Sequence, residues 1–188
     1  MKAHSTIRIA SKVAMVAALL ASSLILKAQS DDSAKINELL RSVKSHAAMA
    51  THDADLLQAY ARTNVSWESH ANKINAMKVH INNLIDDHNE MIRARETALP
   101  WQQKAIDRTD PLVKEIADRL NATIEHLNNN QNKVALKTYR DYVHSNYKLI
   151  STLDKMVSDF VDYEEAKSTT DTLEEKLELP SASTGEGS

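Results

Sequence analysis

Residues 33–61 read SAKINELLRSVKSHAAMATHDADLLQAYA. Ile36, Val43, Ala50 and Leu57 recur every seven residues, and Leu40, Ala47, Ala54 and Ala61 form a second row four residues on. Positions with this spacing share one side of an α-helix, so the stretch predicts one amphipathic helix with a single apolar stripe. The second half of that stripe is mostly alanine, which lets a neighbouring helix approach closely.

Composition supports the same mode of folding along the chain. The two glycines of the 188 residues are Gly185 and Gly187, and there is no cysteine. Glycine serves where the backbone needs φ > 0 or must lie close to a phosphate. Without it, P-loops, dinucleotide-binding turns, nucleophile elbows and tight hairpins are disfavoured together. The chain is therefore expected to be all-α and not an enzyme.

Three more stripes follow. Ser66 stands as an N-cap with Glu68 in the first turn, where the helix dipole favours an anion. The second helix is expected from Trp67 to about Ala98, with rows Trp67, Ile74, Ile81, His88 and His70, Met77, Leu84, Met91. Pro100 suits the first turn of a third helix. Leu99, Ile106, Val113, Leu120, Leu127 and Val134 keep one register across Pro111, which predicts one helix to about Asn129, kinked near Arg108–Pro111. Asn128–Asn132 reads as a turn. Thr138 with Asp141 resembles a capping box. The fourth helix carries Tyr139, Leu153, Phe160 and Tyr142, Leu149, Met156, Tyr163, with Val143, Ile150 and Val157 beside them, and fades after about Lys167, with a weak extension through Leu173, Leu177 and Leu179.

Long helices with short links predict an antiparallel up-down-up-down four-helix bundle. The alternative is a helical hairpin or open three-helix array that completes its core as a homodimer. In the bundle, Tyr60, Trp67, Tyr139 and Tyr142 gather at one end, and Trp101 lies at the other near Phe160 and Tyr163. Both groups read as plugs at the wet ends of the core.

Residues 1–28 read as a secretory signal peptide: Lys2, Arg8 and Lys12 precede the apolar run Val13–Leu26, and cleavage is expected before Gln29. That run falls short of the ~20 apolar residues of a membrane span. The alternative is an uncleaved N-terminal anchor. Loss of residues 1–28 removes four cations and no anion, moving the formal charge from −3 to −7. Such an acidic domain is a poor partner for nucleic acid. Residues 29–179 then form the helical domain, exported to the periplasm or beyond, and residues 180–188 a disordered tail.

Chemistry is sparse. The Met/His haem pair of periplasmic b-type cytochromes is not met, because Met49 is mid-helix and His144 points away from the stripe. A Glu-x-x-His pair for a di-metal centre is absent, as is His-Glu-x-x-His. No cofactor is expected. The remaining metal candidates are Met49 with His52, Met77 with His80 and His88 with Met91, three apart on helix faces and suited to copper. His70, His126 and His144 are a second set, on three helices at the Trp67 end, for zinc or pH sensing. His46 and Asp53 are expected at the edge of the first stripe, reaching solvent. The acidic run Glu164, Glu165, Asp171, Glu174, Glu175, Glu178 reads as a solvated helix end.

Ser66-Trp67-Glu68-Ser69-His70, Pro100-Trp101-Gln102-Gln103-Lys104-Ala105-Ile106-Asp107, Leu127-Asn128-Asn129-Asn130-Gln131 and Tyr139-Arg140-Asp141-Tyr142 occur in that order. In these motifs the chain resembles a group of small secreted helical proteins of soil bacteria with no known activity. The resemblance covers roughly residues 61–161 and implies a secreted helical protein, with no ligand or catalytic residue. Val134 and Lys137-Thr138 depart from the aromatic and proline expected before Tyr139. The expected function is that of a non-enzymatic exported bundle acting through protein contacts in the cell envelope. The alternative is a periplasmic metal-binding protein using His and Met.

Overall fold

The computed structural model describes residues 7–63, 65–134 and 136–178, with side chains from Asp32 onward, Asn132 excepted. The protein is all-α, and no strand occurs among the described residues. Its helices are α1 (Ile7–Tyr60), α2 (Trp67–Arg93), α3 (Pro100–Asn129) and α4 (Lys137–Lys176). Short 3-10 turns at Arg95–Thr97 and Gln131–Lys133 lead into α3 and α4. No helix among the described residues is long and apolar enough to cross a membrane.

The connections are built without glycine. Among the described residues only Glu178 has positive φ, at 53°. Helix α2 instead tightens into a 3-10 turn at Arg95–Thr97 and then extends, with ψ 152° at Ala98 and 153° at Leu99. Leu136, before α4, is likewise extended at ψ 151°. All three angles are open to any L-residue. The first of these connections is tied to α3 by Arg95, whose Nε and Nη2 each donate to the Asp107 carboxylate at 2.7 Å.

Several boundaries differ from the expected ones. Helix α1 does not begin near Ser33 but runs unbroken from Ile7, so no backbone break marks the expected domain boundary at residues 28 and 29. The cause is the absence of glycine and proline from that stretch. Part of the expected leader (residues 1–6) and the whole tail (180–188) lie outside the described residues. Helix α2 ends at Arg93 rather than Ala98. Ser66 holds the N-cap position but its side chain makes no capping bond. Thr138 and Asp141 do not form a capping box. Leu136 is the N-cap residue, and Asp141 accepts a hydrogen bond from Lys137 Nζ at 2.7 Å, one turn back. Helix α4 continues past Lys167 through the expected weak extension at Leu173 and ends at Lys176. Its threonines 169, 170 and 172 donate to the carbonyls four residues back, and Lys167 pairs with Asp171. Helix α3 has the expected limits, Pro100 to Asn129, with Pro111 inside it.

One hydrophobic cluster draws on all four helices. Both rows of α1 are buried: Ile36, Val43, Ala50 and Leu57, with Leu40, Ala47, Ala54 and Ala61. Each large aliphatic chain so placed contributes about 2 kcal/mol. Helix α1 packs on α2 and α4, and α3 packs on the same two helices. On α4 the buried row is Tyr139, Val143, Asn146, Ile150, Leu153, Val157 and Val161. The expected second row, Tyr142, Leu149, Met156 and Tyr163, stays half-buried or exposed at the edge of that seam.

Candidate functional site

The apolar face of α4 is wider than the core can cover, and the surplus meets a matching strip of α3. Phe160, Met156 and Tyr163 from α4 and Trp101 from α3 line a half-open groove of about 550 Å³. The Trp101 and Tyr163 rings meet edge-on, with centroids 5.5 Å apart. Lys104 and Arg108 on α3 and Lys155 on α4 line the same groove, with Asp159 as its one carboxylate. The Arg108 guanidinium lies over the Phe160 ring, 5.8 Å from its centroid. None of the three cations makes an ion pair among the described residues, whereas Lys35, Arg41, Lys44, Lys73, Arg95 and Lys114 all do.

The opposite end holds the other aromatic group. Tyr60, His70, Tyr139, His126 and Tyr142 form a chain of ring contacts with centroids 5.1–6.1 Å apart. His70 Nδ1 and the Tyr139 hydroxyl share a hydrogen bond at 3.0 Å. Burial holds the His70 imidazole below its ordinary pKa and pushes the Tyr139 phenol up. Tyr60, Tyr139 and Tyr142 gather at this end and Trp101 with Tyr163 at the other, as the heptad rows place them, whereas Trp67 makes no ring contact among the described residues.

Inside the bundle, polar side chains bond to one another. His88 Nε2 lies 3.0 Å from Thr109 Oγ1, and the same hydroxyl is 2.8 Å from the Ala105 carbonyl and 3.1 Å from that of Ile106. The Thr109 hydroxyl thus links His88 on α2 to the backbone of α3. Burial holds the His88 pKa below its ordinary value, against a smaller opposing pull from Asp110. Asn146 Nδ2 donates to Thr123 Oγ1 at 2.6 Å and joins α4 to α3. Gln102 is fully buried. It donates to the Ser33 carbonyl at 2.9 Å and to Asn37 Oδ1 at 2.6 Å, and its Oε1 accepts from Leu99 N–H.

The metal candidates do not converge. No group of three His, Asp or Glu side chains able to hold a metal ion occurs among the described residues. His70 and His126 both contact the Tyr139 ring. His144 instead faces Gln58, with Nδ1 to Oε1 at 3.1 Å. Met77 and Met91 are fully buried core side chains, and His88 is bonded to Thr109. Met49 and His52 are exposed on α1. His80 lies across α1 and α2 from Asp53, Nε2 to Oδ2 at 3.8 Å, and His46 lies 3.9 Å from Asp87. Asp53 does not reach solvent as expected; it is buried at 7% exposure and paired with Lys73 at 3.0 Å. A lysine on the adjacent helix makes that burial tolerable.

The groove was not anticipated from sequence. Its signal was Lys104 and Arg108, a like-charge pair four apart that costs a helix stability, beside α4 apolar positions too numerous for one stripe. No family model, curated protein or solved structure matches the chain.

Proposed function

We propose that this protein is an exported, non-enzymatic helical bundle of the cell envelope that works by protein contact, with the end of α4 as its contact element. The observation that carries this reading is the overhang of α4. Val161 is the last buried residue of that helix, yet the helix continues to Lys176. At about 1.5 Å per residue this is roughly 20 Å of helix beyond the core. Leu173 and Leu177 share one side of it, 51% and 64% exposed. Around them lie Glu174, Glu175, Glu178 and Asp171, so the matching partner surface is apolar with a basic rim.

The bundle is read as antiparallel up-down-up-down. In support, Lys35 pairs with Glu90 and Asp53 with Lys73, while Asn37 bonds Glu164 and Gln58 bonds His144. Rising numbers on α1 thus meet falling numbers on both neighbours. A kink of α3 at Pro111 belongs to the same reading, since proline removes the bond to the Asp107 carbonyl. Residues 1–28 are read as a cleaved leader, and the motifs between residues 61 and 161 group the chain with the small secreted helical proteins it resembles. A non-catalytic role belongs to the same reading; in the interior His88 is bonded to Thr109, while His70 and Asn146 each use one polar atom, toward Tyr139 and Thr123, and leave His70 Nε2 and Asn146 Oδ1 without a partner.

Photo-crosslinking in the native envelope tests the contact element. A photoreactive residue at Leu173 is expected to yield one defined protein adduct, and one at exposed Val79 on α2 is not. Equal adducts from both positions, or none from Leu173, would remove the reading.

A further inference from the structure

We infer that the α3–α4 groove is a binding site for a small organic anion, a planar apolar body carrying one acid group. This goes beyond the contact role of the α4 overhang and stands on a different surface.

The groove has two unlike ends. Trp101 and Tyr163 close one end with their rings. Arg108 lies seven residues along α3 from Trp101, about 10 Å, and Lys155 lies eight residues along α4 from Tyr163, about 12 Å. Two cations are therefore rooted away from the Trp101–Tyr163 contact, with Lys104 between, and the Arg108 guanidinium lies over Phe160. Asp159 offsets one charge, which leaves the lining cationic on a chain whose formal charge is −3. None of the three cations has a carboxylate partner among the described residues, so an incoming anion does not have to displace one. The Arg108 guanidinium is held over Phe160 and keeps its donor edge for a carboxylate or sulfonate, which it can meet with two parallel bonds. The volume of about 550 Å³ falls within the range of small-ligand sites, about 300–1,000 Å³. A cationic amphiphile is repelled by the same lining, and a neutral one leaves the cations unused.

The test uses the full chain and two fluorescent probes that differ only in charge, anilinonaphthalenesulfonate and neutral N-phenylnaphthylamine. The sulfonate is expected to bind at one equivalent, at least about tenfold tighter than the neutral probe, with an affinity that falls as salt rises. Arg108→Gln with Lys155→Gln is expected to erase that advantage and leave the neutral probe unchanged. Both positions are solvent-exposed, and thermal melts of the variant verify its fold. Phe160→Ala is expected to weaken both probes. Equal affinity of the two probes for the wild type, or no stoichiometric site, overturns the proposal. Flotation with phosphatidylglycerol vesicles that depends on the same two cations would overturn it in favour of a lipid surface.

Discussion

His88 shows how one buried side chain sets a property of the whole protein. It is fully enclosed on α2, is hydrogen-bonded to Thr109 on α3, and has its pKa lowered mainly by burial. His70, also buried, is shifted the same way. In the unfolded chain both take up a proton near pH 6.5, whereas in the folded protein they resist it. The unfolded state therefore binds more protons below that pH, and stability falls as pH falls. The expected result is a melting temperature that is level from pH 8 to about 6.5 and declines below it. The slope is at most ~1.4 kcal/mol per pH unit for each histidine. His88→Gln, whose amide can donate to or accept from Thr109, should make the decline shallower, and an unchanged slope would show that His88 is not responsible. That His88 and His70 face inward was legible from the heptad rows. That Thr109 and Tyr139 receive them was not, because those partners lie on other helices.

At the scale of the element, Pro111 is the position where sequence and helix disagree. Helix α3 passes through it unbroken, and the side chain is exposed, so water can satisfy the Asp107 carbonyl left without a donor. Replacing Pro111 by alanine restores that bond and is expected to stabilise the protein by about 1–3 kcal/mol, or ~3 °C per kcal/mol in melting temperature. A lower melting temperature would mean that the core is fitted to a bent α3. Periodicity located all four helices, since each carries its stripe at helical spacing. It misjudged the end of α2, where Arg95 is clamped on Asp107, and gave only a weak signal for the last turns of α4, where threonines bond to their own helix past Lys167. It also assigned Tyr142, Leu149, Met156 and Tyr163 to the core. A seam between two neighbours admits only one strip of α4, and part of the remainder became the wall of a groove.

For the whole molecule, both described rows of α1 are buried at near-zero exposure against helices of the same chain. Light scattering of the purified protein is expected to give the mass of one chain. The N-terminal residue of material recovered from the envelope is expected to be Gln29. A stable dimer would favour the open-array alternative. A mature chain retaining residues 1–28 would replace the cleaved leader with an anchor.

The fold class follows from sequence alone, because apolar spacing and a nearly glycine-free chain act locally, through backbone geometry and helix faces. Which cations remain without partners, which aromatics stay outside the core, and how far α4 extends past it depend on packing between helices. Those distances exist only once the chain has folded, and the groove and overhang could be recognised only there.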